Sequence, residues 1–103
     1  MEQAVTYSKF ADELRDRSAA WLAKELPGSF VSVVMVTLTE NRRHATIWVS
    51  FPLPQADKEK LFKKVKSALP GLRSSLHRSF TRRMLPEFEV ALAHEEVGSF
   101  LDR

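Results

Sequence analysis

Hydrophobic and polar positions alternate along this chain in two different rhythms. From Tyr7 to Leu26 the apolar residues Tyr7, Phe10, Leu14, Trp21 and Leu22 gather on one face of a helix. Thr6 or Ser8 is placed to cap its start, and Pro27-Gly28 to stop it. Residues 30 to 39, FVSVVMVTLT, are dense in β-branched side chains and predict a strand. The polar turn Glu40-Asn41-Arg42-Arg43 leads to HATIWVSF, where Ala45, Ile47, Val49 and Phe51 alternate with His44, Thr46, Trp48 and Ser50. That alternation marks a half-buried strand, so the two segments predict a hairpin, ended by Pro52 and Pro54.

The helical rhythm returns in DKEKLFKKVKSAL. Leu61, Phe62, Val65, Ala68 and Leu69 fall on one side, with Lys60, Lys63 and Lys64 on the other. Leu72, Leu76 and Phe80 continue an apolar stripe beyond Pro70-Gly71, with Arg73, His77 and Arg78 away from its centre. Proline lacks an amide hydrogen and pushes its predecessor out of the α region. The pair therefore predicts that one helix ends at Leu69 and a second begins at Pro70. After Pro86, FEVALA alternates again and reads as a third strand, and residues 95 to 103 as a short tail helix. The predicted order is α-β-β-α-α-β, a single α+β domain over residues 1–103 with helices on one face of a three-stranded sheet.

Composition removes several classes of function. With no cysteine there is no disulfide, thiolate metal site or cysteine nucleophile. His44, His77 and His94 lack metal-ligand spacing, and no phosphate-cradling glycine loop or nucleophile elbow is present. The expectation is a protein without catalytic activity or cofactor. No apolar run approaches the length of a membrane span and no export signal stands at the start, so a cytoplasmic location is expected.

Charge adds the positive evidence. The net charge is only +3, but from Lys58 to Arg83 nine Lys/Arg face one acid, Glu59. Such a cluster is the electrostatic footprint of a polyanion site, although a solvated helix face gives the same pattern. The predicted break admits two readings as well. It is a plain kink that wraps two helices on the sheet, or a corner where Gly71 and the free amides of a new helix receive a sugar-phosphate backbone.

The chain resembles the ribosome-binding factor A family over approximately Tyr7 to Leu101. The likeness is carried by His44-Ala45 and Val49-Ser50 in the second strand, by Gly71-Leu72-Arg73-Ser74 followed by Leu76, and by Arg83 and Pro86-Glu87-Phe88. That family has a KH type II-like fold in which an interrupted helix with an Ala-x-Gly pattern replaces the Gly-x-x-Gly loop. Here Leu69-Pro70-Gly71 stands in its place, with Ala68 one position early. The resemblance implies an assembly factor that binds the free small (30S) ribosomal subunit and its 16S rRNA and assists rRNA processing; nothing in the sequence demands a dimer, so a monomer is expected. The expected RNA-binding residues are Lys60, Lys63, Lys64, Ser67, Pro70, Gly71, Arg73, Ser74, His77, Arg78, Arg82 and Arg83. Two alternatives stay open: a KH-like RNA-binding module unrelated to the ribosome, and a protein-interaction domain that uses the open sheet face around Trp48. Trp48 itself either stacks a base there or is buried against the tail or first helix, burial being the favoured reading.

Overall fold

The computed structural model describes residues 9–52, 55–80 and 84–93. Their elements run α1 (Lys9–Glu25), β1 (Ser32–Leu38), β2 (His44–Ser50), α2 (Gln55–Ser79) and β3 (Glu87–Leu92). The α+β class and the three-stranded sheet are as expected. Arg82, Arg83, His94 and the predicted tail helix lie outside the described residues.

Helix α1 buries Phe10, Leu14, Ser18 and Leu22, a strict four-residue spacing, together with Ala11. Asp12 in its first turn and Lys24 in its last complement the helix dipole. Beyond the helix, the Ser29 hydroxyl donates to the Leu26 carbonyl at 2.7 Å. Gly28 takes φ +85°, a left-handed conformation that needs no Cβ.

Strands β1 and β2 pair antiparallel, with a bulge that leaves Val34 out of the ladder between Val33 and Met35. Strand β3 pairs parallel with β2, so β2 is central. Parallel neighbours need a crossover between them, and α2 supplies it. On one sheet face Val36, Leu38, Ala45, Ile47 and Val49 pack with Leu14, Leu22, Val65, Leu72, Leu76 and Phe80 into a single core. The rings of Phe10 and Phe80 meet edge to face, 5.5 Å apart, and tie the start of α1 to the end of α2.

One expectation is overturned. The predicted pair of helices meeting at Pro70-Gly71 is a single 25-residue helix with Pro70 inside it, so the order is α-β-β-α-β. The physical reason is the phase of the apolar stripe. Val65, Leu69, Leu72 and Leu76 keep helical spacing across the proline, and Val65, Leu72 and Leu76 are all buried. Losing that register would cost several buried side chains, each contributing about 1.5–3 kcal/mol. An interior proline costs about 3 kcal/mol. Pro70 also sits on the exposed side, where water can satisfy the Lys66 carbonyl that its missing N–H leaves free.

A candidate nucleic-acid interface

Every α2 residue named above as RNA-binding is exposed: Lys60, Lys63, Lys64, Ser67, Pro70, Gly71, Arg73, Ser74, His77 and Arg78. Most lie on the helix side away from Val65, Leu72 and Leu76, with Arg73 on one flank and Lys64 and Gly71 on the other, as the period of 3.6 requires. From Lys60 to Arg78 the row is about 27 Å long. Lys66 belongs to it as well, its ammonium held 5.5 Å from the Phe62 ring one turn back. Among the described residues the ion pairs are those of Arg15 with Asp12 and Asp16, both on α1. The cations of α2 are therefore not spent on acidic neighbours among the described residues.

Gly71 plays a different part from the one expected. With α2 continuous, the amides at Pro70-Gly71 are interior to a helix and no free helix N-terminus exists there. A Cβ on Gly71 would lie 3.1 and 3.2 Å from Cζ2 and Cη2 of Trp21. The glycine thus lets α1 approach α2.

Trp48 is half-buried on the sheet face opposite the helices, because it alternates with the core residues Ile47 and Val49. Burial against the first helix is corrected accordingly, and the tail lies outside the described residues. Its indole N–H donates to Thr37 Oγ1 at 3.0 Å, and nearby the Thr46 hydroxyl donates to Glu89 at 3.2 Å. Strand neighbours fix the ring in its own sheet.

A second basic spot is hidden by chain order. Residues 41 to 44 of the β1–β2 turn face Met84, Leu85 and Glu87 across a cleft of about 510 Å³. Arg42 and Arg43 are neighbours in sequence, but nothing local in either segment predicts the cleft, because only the parallel β2–β3 pairing brings its walls together. No three metal-ligating side chains gather among the described residues. No helix among them is long and apolar enough to cross a membrane.

No protein-family model matches the chain. A relative does: ribosome-binding factor A of Gemmatimonas aurantiaca is 32% identical over 83 residues, which cover 77% of this chain. The chain spans 57% of that relative's length. Two solved structures share the fold. The crystal structure of ribosome-binding factor A from Thermus thermophilus superposes with a TM-score of 0.67 at 23% identity, covering 84% of this chain and 97% of that one. The solution structure of a candidate ribosome binding factor A from Thermotoga maritima gives 0.70 at 19% identity, covering 80% and 81%. The relative carries the sequence likeness and the two structures carry the fold: the chain is similar to ribosome-binding factor A in both.

Proposed function

We propose that this chain binds the free small ribosomal subunit through its 16S rRNA, and that it assists rRNA processing and subunit maturation as a binding factor without catalysis. The observation that carries this reading is the outward half of α2, where Lys60, Lys63, Lys64, Lys66, Arg73 and Arg78 are all exposed and without acidic partners among the described residues. Arg82 and Arg83 extend the proposal in sequence. The names of the relatives support the ribosome as the target.

Cations set on one rigid helix neutralise phosphates without ordering new side-chain scaffolding, so affinity comes chiefly from counterion release. Ser67, Ser74 and His77 add hydrogen-bonding groups between the charges. Six phosphate contacts give a log–log salt slope of roughly four to five. The protein acts as a cytoplasmic monomer in this reading.

Co-sedimentation with free small subunits at low and moderate salt tests it. Wild type should pellet with the subunits at low salt and be released as salt rises. A Lys63→Glu/Lys64→Glu variant with an unchanged circular dichroism spectrum should stay in the supernatant. Wild type that ignores both subunits and naked rRNA ends the proposal. A charge-reversed variant that still pellets while Trp48→Ala does not moves the interface to the open sheet face.

A further inference from the structure

The cleft between the β1–β2 turn and the segment leading into β3 is a built feature of the sheet's end. The Glu87 amide donates to the Arg43 carbonyl at 2.8 Å, and Glu87 pairs with His44 in the parallel ladder. Within the turn, Asn41 Oδ1 accepts from the Thr39 hydroxyl at 2.8 Å and from the Arg43 amide at 3.0 Å. The turn wall is therefore fixed by its own hydrogen bonds, and the opposite wall is anchored to it at Glu87. The space between them, about 510 Å³, is within the range that holds a small organic ligand.

We propose that this cleft holds one unpaired nucleotide of the RNA that lies along α2, its phosphate on Arg42 and Arg43 and its base against His44 and Met84. The inference rests on the RNA reading of α2 and adds a second subsite to it. The lining has the composition such a ligand needs. Two guanidinium groups without ion pairs among the described residues offer forked donors to phosphate oxygens. The His44 imidazole and the Met84 thioether, whose residue is 95% exposed, offer a flat and a polarisable surface to a base. The Glu87 carboxylate accepts from an exocyclic amine, which a phosphate alone lacks. Arg42 has φ +61°, where glycine or asparagine sits with less steric cost, so an arginine there is an unforced choice of side chain.

Position favours a polymer over a free nucleotide. Phe80 follows the last residue of α2 and Met84, four residues on, lines the cleft, so the chain itself keeps the end of α2 within about 14 Å of it. A strand following the cations toward Arg78 runs toward the cleft. A duplex would keep its bases stacked inside, so only a splayed or single-stranded nucleotide fills the space between the walls.

Amide and methionine-methyl NMR spectra of the full chain decide the matter, with a single-stranded hexaribonucleotide as the probe. The expected result is movement of the Arg42, Arg43, His44 and Glu87 amides and the Met84 methyl, together with the α2 amides. In an Arg42→Gly/Arg43→Gln variant the cleft signals should stay still, the α2 signals should still move, and affinity should fall about tenfold. A blunt RNA duplex should move the α2 signals alone. Movement on α2 with a silent cleft overturns the subsite and leaves the α2 reading standing. Movement in the cleft with α2 silent overturns the α2 reading and with it a subsite on RNA that lies along α2, and silence at both overturns both. A cleft that answers equally to adenosine monophosphate overturns the polymer.

Discussion

The Trp21 ring stands over Gly71, with two ring carbons 3.1 and 3.2 Å from the place a Cβ would occupy. Both residues lie on helices, so the contact measures how closely α1 and α2 approach. Alanine is a better helix former than glycine by about 1 kcal/mol. Here the gain is opposed by a methyl group set inside normal contact distance of an aromatic edge. We expect Gly71→Ala to destabilise the wild type by about 1 kcal/mol, yet to stabilise a Trp21→Ala background by about the same amount. Urea unfolding of the wild type and the three variants gives the coupling directly. Equal effects in both backgrounds would mean that the ring moves away freely.

Pro70 bears on function as well as stability. It interrupts the hydrogen bonding of α2 without ending the helix. Pro70→Ala restores an N–H donor to the Lys66 carbonyl and should raise stability by about 2 kcal/mol, somewhat less than the full proline penalty because the unfolded chain also gains freedom. If the RNA-binding face is a charged helix surface, subunit binding should stay within about twofold of wild type. A large loss of binding in a more stable Pro70→Ala protein would show that the local distortion at the proline is itself what RNA recognises.

The fate of Pro70 also shows which parts of this fold are legible in sequence. Two signals competed at residues 69 to 71. Local chemistry predicted a break, while the stripe through Val65, Leu69, Leu72 and Leu76 predicted continuity. Tertiary burial decided in favour of the stripe, since three of those four side chains are fully buried. The strands were plain because Ala45, Ile47 and Val49 alternate without a fault. The cations of α2 were legible for the same reason, their exposure following from helical period alone. The cleft was not, because its walls are some 40 residues apart and meet only through the parallel pairing of His44 with Glu87. Ser18 was not legible either: its place in the four-residue spacing of Phe10, Leu14 and Leu22 buries it although it is polar.

Ser18 is completely buried and its hydroxyl has no hydrogen-bond partner among the described residues. Desolvating a hydroxyl without compensation costs about 1–3 kcal/mol. Alanine removes the oxygen, suits the helix better and leaves a space smaller than a methyl group. Ser18→Ala should therefore raise stability by about 1 kcal/mol. The midpoint of urea unfolding should rise with the slope unchanged. A fall would mean that the hydroxyl is satisfied, for instance by an ordered water, and belongs to the core as a polar element.

Phe30 combines two unfavourable features just before β1. It is 71% exposed, and its φ of +56° is a left-handed conformation that a bulky side chain rarely adopts. The left-handed region costs an L-residue about 1–2 kcal/mol that glycine escapes. Glycine in turn loses more chain entropy on folding, by about 0.5–1 kcal/mol. The balance for Phe30→Gly is a stabilisation of about 0.5–1 kcal/mol, provided the ring makes no contact worth more than that. Phe30→Asn, which tolerates the same φ and keeps a Cβ, should lie between the two. Loss of stability in both variants would assign the ring a packing role that its exposure hides. Gain of stability with weaker subunit binding would make Phe30 an exposed contact retained at the expense of the fold.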